Sequence, residues 1–217
     1  MDRAKTKSVE NILEIGCGSG GDLELLSRYG RVWGLERSAI LAARARRRGV
    51  AVAVAESDLF DCEIDTRIDL FCLFDVLEHV KDDRGLIQRL SEKGHHDHLL
   101  LLSVPACQFL FGRHDELLHH YRRYSRARLE ALLRAEGYDI VQSSYFMFLL
   151  FPLAVLSRVI EAARVRIGFN RKDVNLGRVP APVNWLFTKV LQLEARLGQY
   201  MNFPIGLWLV VLAERKS

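Results

Sequence analysis

The feature that most constrains this chain is a glycine-rich segment that directly follows a short apolar run near its start. Residues 12–22 read Ile-Leu-Glu-Ile-Gly-Cys-Gly-Ser-Gly-Gly-Asp, with glycine at positions 16, 18, 20 and 21. Glycine adopts positive φ easily and has no Cβ, so such a loop lets a ligand approach the backbone amides at the start of the next helix. The segment therefore predicts a nucleotide or nucleoside site after the first strand of an α/β fold.

Glu14 separates two ligand classes that the glycines alone leave open. The loop fits both G-x-G-x-x-G, which is typical of dinucleotide-binding folds, and E-x-G-x-G-x-G. A carboxylate beside the loop would repel a pyrophosphate but would attract a cationic ligand. S-adenosylmethionine carries a sulfonium and an ammonium group and no phosphate. With Glu14 and these glycines, the sequence resembles the class I S-adenosylmethionine-dependent methyltransferases.

Later positions agree with this resemblance in the order that the family implies. A second predicted strand ends in Glu36, where a carboxylate would hold the ribose hydroxyl groups. Asp58 follows a third short apolar run, at the place of the family's adenine-binding acid. A fourth apolar run ends at residues 75–79, which resemble the segment beside the methionine end of the cofactor. The resemblance implies these cofactor-binding residues: Glu14, Gly16, Cys17, Gly18, Gly20, Glu36, Arg37, Asp58, Leu59, Phe74 and Asp75.

The alternation of apolar runs and helical patterns predicts the fold class. We expect a Rossmann-like α/β fold with a seven-stranded, mostly parallel sheet whose last strand is antiparallel. The sixth strand is predicted at 138–145 and the last at 206–214, roughly sixty residues apart, which is far beyond an ordinary loop. The sequence therefore predicts a cofactor-binding core over 1–144, a helical insertion over 145–205 and a last core strand in 206–217.

The predicted insertion combines apolar helix faces with positive charge. Amphipathic helices are expected at 153–167 and 182–197, and residues 158–178 contain six Lys or Arg against Glu161 and Asp173. The uncharged run at 145–156 is too short to span a bilayer, which needs about twenty residues. Two alternatives remain open. The helices pack on the sheet or on a second copy in a homodimer, or residues 145–178 make peripheral membrane contact.

Candidate bases are His79, His114 and His120. Two of them lie in residues 111–124, a polar and aromatic segment that follows the fifth strand at the ligand-binding edge of the sheet. The segment resembles one found in bacterial members of the family whose acceptors are mostly unassigned. A neutral histidine there can take a proton from an acceptor. Arg122 and Arg123 can hold an anionic group, or they are solvated or paired within the protein.

Asp75, Glu78 and His79 stand at i, i+3 and i+4, a spacing that would bring them to one helix face. Acidic groups in such positions commonly serve as helix caps and cofactor contacts, so the sequence predicts no metal. Composition limits the remaining classes. Four cysteines without C-x-x-C spacing and an N-terminus without an apolar signal region predict a cytoplasmic protein. A net charge of +4 without interleaved aromatic residues does not favour nucleic acid.

Together these patterns predict an enzyme that transfers the methyl group of S-adenosylmethionine to a small or lipid-linked acceptor, leaving S-adenosylhomocysteine. One alternative is a nicotinamide-dependent oxidoreductase, which Glu14, Asp58 and Asp75 disfavour. The other is a cofactor-binding subunit without catalytic activity. The acceptor atom can be oxygen, nitrogen or carbon.

Overall fold

The computed structural model describes residues 8–49, 53–55, 66–166 and 180–216. The seven strands are β1 Asn11–Ile15, β2 Arg31–Leu35, β3 Ala53–Ala55, β4 Leu70–Phe74, β5 Leu99–Pro105, β6 Tyr138–Phe146 and β7 Trp208–Arg215. The α-helices are α1 Leu23–Leu26, α2 Ala39–Arg46, α3 Asp83–Lys93, α4 Arg113–Leu117, α5 Arg126–Ala135, α6 Phe151–Arg166 and α7 Ala181–Leu197. Short 3₁₀ turns lie at Leu77–His79 and Gln108–Leu110.

The strands form one sheet in the order β3-β2-β1-β4-β5-β7-β6. Strands β1 to β5 pair in parallel, and β7 runs antiparallel to both β5 and β6. The predicted Rossmann-like sheet with an antiparallel last strand is confirmed. Helices α6 and α7 come between β6 and β7 in the sequence, as expected. The order reverses between β1 and β4, so the carboxyl ends of these two strands border the crevice where α/β folds bind ligands.

The two faces of the sheet are covered differently. On one face, α3 and α5 pack against the central strands, and this larger core includes Leu73, Leu102 and Leu129. On the other face, α1 and α2 cover β1 and β2, around Ile12. Along β5, buried residues alternate with half-buried ones such as Leu101, and β7 repeats this pattern. The second face therefore keeps an apolar surface over β4, β5 and β7 that no helix of the described ranges covers fully.

Local signals set several helix ends. Ser125 caps α5 by accepting a hydrogen bond from the Arg128 amide, and Gly137, at φ +81°, follows its last turn. Ser38 caps α2 in the same way by accepting from Leu41. Pro152 occupies the first turn of α6, where its missing N–H costs no helical hydrogen bond. Each of these helix ends thus coincides with a capping or helix-ending residue in the sequence.

Helices α6 and α7 are attached to the body at a few points and expose many apolar side chains. The buried Glu194 on α7 accepts hydrogen bonds from the Phe148 and Leu149 amides at 2.9 and 3.0 Å, and Phe148 stacks on Phe203. The large exposed apolar side chains of the two helices are Leu153, Leu156, Val159, Ile160, Val183, Trp185, Leu186, Leu193 and Leu197. None of the described helices is long and apolar enough to cross a bilayer.

Candidate active site

The glycine loop takes the backbone shape that its sequence predicts. Gly16, Gly18 and Gly20 have φ of +71°, +55° and +79°. A Cβ on Gly16 would lie 2.6 Å from the Val76 side chain, so the loop packs tightly against the chain that follows β4. A Cβ on Gly18 would meet nothing within 4 Å. Gly18 therefore presents its backbone to open space, as a ligand-binding loop requires.

Glu36 joins the loop to the end of β2. Its carboxylate accepts a hydrogen bond from the Gly18 amide at 2.9 Å and another from the Ser38 amide at 2.8 Å. A carboxylate oxygen has two lone pairs, so each oxygen retains one acceptor site for a ribose hydroxyl. The backbone contacts fix the direction of the carboxylate before any ligand arrives. The adjacent Arg37 is exposed.

Glu14 is buried beneath this loop. It is 2 % exposed, and its Oε2 has no hydrogen-bond partner among the residues that the structure describes. Burial, with a smaller effect of the Asp22 carboxylate, raises the pKa of Glu14 to about 7. A cationic ligand nearby would favour the ionised form. Cys17 points into the core at 5 % exposure, and burial raises the pKa of its thiol to about 12, so it is no nucleophile.

The corner after β4 is formed by Asp75. This residue has φ +54°, which is uncommon outside glycine. Its Oδ1 accepts a 2.6 Å hydrogen bond from the indole of Trp208 and a 3.3 Å bond from the hydroxyl of Ser103. Strands β4, β5 and β7 thus each supply one side chain to this corner. Phe74 lies immediately beneath it and is half-buried.

A groove of about 880 Å³ opens from this corner and extends over the less covered sheet face. Its acidic residues are Asp22 and Asp75, and most of its other side chains are apolar. The residues lining it come from α1, from five strands and from the adjoining loops: Val9, Ile12, Asp22, Leu25, Leu26, Tyr29, Leu70, Phe74, Asp75, Leu101, Ser103, Phe146, Met147, Trp208 and Val210. A groove of this size and polarity fits an apolar small molecule or chain.

Two of the three predicted bases lie together. The rings of His79 and His120 meet edge to face with centroids 4.5 Å apart. Partial burial and the neighbouring His120 lower the pKa of His79, which keeps its ring neutral near pH 7. The Nδ1 atom of His120 lies 3.1 Å from Oδ1 of the buried Asp115. His114 is exposed on α4.

The two arginines expected to hold an anionic acceptor are already paired. Arg123 is 8 % exposed, and its Nε donates to Asp115 at 2.8 Å. Arg122 contacts Asp83 at 2.6 Å and donates to the Lys81 carbonyl. Of the two alternatives for these guanidinium groups, the structure shows the pairing with carboxylates of the protein itself. Asp58 and Leu59, predicted at the adenine, lie outside the described residues.

Sequence reasoning missed Trp208 and Asp115. Trp208 begins β7, and because β7 is antiparallel its first residue lies at the edge where the parallel strands end. That position was a usable signal once the last strand was predicted to be antiparallel. Asp115 carried no such signal, since it stands in a polar segment and its complete burial follows from packing.

A family model described as a methyltransferase domain matches residues 2–143. The chain belongs to this methyltransferase family. N-methyltransferase 4 from Papaver somniferum is 27 % identical over 127 residues, which cover 54 % of this chain and 36 % of that protein. The methyltransferase chain thus spans about a third of this curated relative.

Two solved structures share the fold. The S-adenosylmethionine-dependent methyltransferase from Mesorhizobium loti has a TM-score of 0.62 at 17 % identity, covering 98 % of this chain and 95 % of its own. The N-methyltransferase NodS from Bradyrhizobium japonicum, in complex with S-adenosylhomocysteine, has a TM-score of 0.54 at 18 % identity, covering 66 % and 73 %. The predicted family is confirmed, and so is its cofactor, S-adenosylmethionine.

Proposed function

We propose that this methyltransferase transfers the methyl group of S-adenosylmethionine to an apolar, small or lipid-linked acceptor. This proposal is based on the groove that leads from the Asp75 corner over the sheet, because most of the side chains that line it are apolar. A sugar or nucleotide acceptor would need hydrogen-bonding groups along its length, whereas an apolar chain is satisfied by such walls.

The site residues divide this work between the two ligands. Glu36 and the Gly18 backbone bind the nucleoside, and Glu14 attracts the cationic methionine end. Asp75 stands where the cofactor crevice meets the groove. The sulfonium is already an activated donor, so holding the acceptor atom about 3 Å from the methyl group in line with the S–C bond supplies much of the rate. The protein therefore acts mainly by positioning.

His79 is the proposed base where the acceptor atom must lose a proton. Its ring is neutral near pH 7 and exposed next to the Asp75 corner, while His120 lies behind it. For a carbon or amine acceptor that is already deprotonated, no base is needed. His114, exposed on α4, is the less favoured candidate.

We further propose that α6 and α7 bring the enzyme to an anionic lipid surface. Residues 151–197 contain eight Lys or Arg and three Asp or Glu, although the whole chain has a net charge of only +4. One of the three acids, Glu194, is buried. Exposed apolar side chains beside excess positive charge are typical of interfacial helices. Part of this region, residues 167–179, lies outside the described residues.

The first experiment separates the candidate functions. Thermal unfolding of the full chain is followed with S-adenosylhomocysteine, S-adenosylmethionine and NADPH. The enzyme is then incubated with methyl-tritiated S-adenosylmethionine and a bacterial extract divided into organic and aqueous phases. We expect stabilisation by the sulfur ligands only, and label in the organic phase. Stabilisation by NADPH would indicate an oxidoreductase. Binding of the sulfur ligands without methyl transfer would indicate a cofactor-binding subunit without catalytic activity. Label confined to the aqueous phase would indicate a polar acceptor.

The second experiment tests the lipid surface. Co-sedimentation with phosphatidylglycerol vesicles is compared with neutral phosphatidylcholine vesicles at low and high salt, because salt screens the basic residues. Val159→Asp and Leu186→Asp should each reduce binding at least fivefold. The matched control is Ile40→Asp, which changes an apolar residue on α2 that is at least as exposed as Val159 and Leu186. Equal losses in all three variants, or a stable dimer that buries both helices and does not bind vesicles, would reject the lipid contact.

A further inference from the structure

Three ligating side chains converge beside the groove, on two segments that are far apart in sequence. Glu78 and His79 lie in the 3₁₀ turn after β4, and His120 follows α4. One ligand atom from each residue can be chosen so that all three lie within 4.8 Å of one another. The Tyr121 amide donates to the Glu78 carbonyl at 2.8 Å, which holds the two segments together. The two segments that supply the cluster are therefore directly connected by a backbone hydrogen bond.

Glu78 is the unusual member of this cluster. It is 0 % exposed, and neither carboxylate oxygen has a hydrogen-bond partner in the described parts of the chain. Its Oε1 lies 4.0 Å from Nε2 of His120. Burial raises the pKa of Glu78 to about 8. A buried carboxyl group without partners destabilises a protein, so such a group in a native fold calls for a ligand or a function.

His120 is oriented by a second layer of contacts. Oδ1 of Asp115 faces Nδ1 of His120 at 3.1 Å, so the Nδ1–H donates to the carboxylate and Nε2 keeps its lone pair on the side of Glu78. Asp115 is itself completely buried and accepts hydrogen bonds from Nε of Arg123 and from the Gly112 amide. A carboxylate that fixes the far nitrogen of a histidine is the usual second layer of a metal-binding imidazole.

From these contacts we infer that Glu78, His79 and His120 bind a divalent transition-metal ion, with Asp115 as the residue that positions His120. The inference goes beyond the proposed methyl transfer, which needs no metal. With the ion bound, His79 is a ligand, so its proposed role as base applies to the metal-free enzyme. Asp75 is not part of this cluster, and its Oδ1 accepts hydrogen bonds from Trp208 and Ser103 instead. The three residues grouped by their sequence spacing, Asp75, Glu78 and His79, are therefore not the three that the fold brings together.

The donor set selects the type of ion. Two imidazole nitrogens and one carboxylate suit Zn²⁺, Fe²⁺, Co²⁺ or Ni²⁺, whereas Mg²⁺ and Ca²⁺ prefer oxygen ligands. Metal–ligand bonds of about 2.0–2.2 Å require the three donor atoms to move closer by roughly 1 Å. His79 is exposed and can make that movement by side-chain rotation. Three protein ligands leave a coordination position for water or for an oxygen or nitrogen of the acceptor.

The test measures metal binding directly in the full-length protein and needs no methyl acceptor. The protein is stripped with chelator, then titrated with Zn²⁺ by calorimetry and with Co²⁺ by visible absorption. We expect one equivalent bound, with no displacement by excess Mg²⁺. Glu78→Gln, His79→Gln and His120→Gln should each weaken Zn²⁺ binding at least tenfold, and Asp115→Asn should weaken it less and alter the Co²⁺ spectrum.

Two controls make the outcome decisive. His96→Gln removes an exposed histidine near the start of β5, at the opposite edge of the sheet, and should leave Zn²⁺ affinity unchanged. His79→Gln changes an exposed side chain and should fold even where the buried variants do not. Unchanged Zn²⁺ affinity in His79→Gln, or an equal loss in His96→Gln, would overturn the inference. Loss of cofactor binding or methyl transfer would leave it standing, since the readout is independent of both.

Discussion

The indole nitrogen of Trp208 donates a 2.6 Å hydrogen bond to Oδ1 of Asp75, across 133 residues of sequence. Asp75 directly follows β4, and Trp208 begins β7, so the bond connects the end of a parallel strand with the antiparallel strand two places away. Ser103, on the intervening β5, contacts the same oxygen. The positive φ of Asp75 is thus supported by side chains from β5 and β7, at the junction of cofactor crevice and groove.

Trp208→Phe should test this bond, because it retains an aromatic ring and removes only the N–H donor. A hydrogen bond to a charged group contributes about 1.5–3 kcal/mol when buried, and Asp75 is exposed, so we expect a loss of about 1 kcal/mol in unfolding free energy. Urea denaturation measures the loss. The matched control is Trp185→Phe on α7, where the ring is 62 % exposed and no change is expected. Equal stability of the two variants would contradict the role given to the indole N–H.

Glu36→Gln should weaken S-adenosylhomocysteine binding at least tenfold. The substitution removes the negative charge that receives the ribose hydroxyl groups and disturbs the bonds to the Gly18 and Ser38 amides. A charged hydrogen-bond acceptor of this kind contributes about 1.5–3 kcal/mol, which corresponds to a tenfold or larger change. Isothermal titration calorimetry measures the affinity. Glu24→Gln, on the exposed side of α1, is the control, and an affinity for Glu36→Gln within threefold of wild type would remove Glu36 from the ribose site.

Glu14 should make binding of S-adenosylmethionine depend on pH. Burial raises the pKa of this carboxyl group to about 7, and a cationic ligand binds its ionised form better. Affinity should therefore rise as pH increases through about 7 and then level off, with proton release on binding below that pH. Calorimetry in two buffers of different ionisation enthalpy measures the released protons. In Glu14→Gln the proton release and the rise in affinity with pH should disappear. If the variant releases as many protons as wild type, another group is responsible.

Glu78 should reduce the stability of the metal-free protein at higher pH. Its pKa is raised from 4.5 to about 8 in the folded state, so the folded protein holds this proton more tightly than the unfolded chain. This tighter proton binding stabilises the folded state. The stabilisation is fully present below about pH 4.5 and is lost as pH rises towards 8. In chelator-containing buffer, Glu78→Gln should become more stable than wild type over that range, as measured by urea denaturation. The exposed Glu92→Gln should follow wild type; a parallel decline in Glu78→Gln would refute the assignment.

The cofactor half of the site could be predicted because its signals are local. Gly16, Gly18 and Gly20 have positive φ, and Glu14 on β1 and Glu36 directly after the adjacent β2 stand at fixed sequence distances from them. A short stretch of sequence contains both the backbone constraint and the charge. For the same reason the sheet and the two helices of the insertion were expected close to their observed positions.

The acceptor half could not be predicted in the same way. His114 and His120 are six residues apart in one polar segment, and only packing places His120 against Asp115 and leaves His114 exposed. Arg123 looks like an anion-binding residue until its burial and its bond to Asp115 are seen. The contact between Trp208 and Asp75 also depends on the strand order β4-β5-β7, which the prediction of an antiparallel last strand does not fix by itself.

The placement of β7 between β5 and β6 also sets an order of events during synthesis. β6 pairs only with β7 within the described sheet, although it leaves the ribosome more than sixty residues earlier. Strands β1 to β5 can pair as they emerge from the ribosome. Until β7 has been synthesised, β6 has unpaired edges, and α6 and α7 expose their apolar faces. The cofactor crevice is therefore expected to form before the acceptor groove, which Trp208 and Val210 complete last. A nascent chain in that intermediate state is the form most in need of a chaperone.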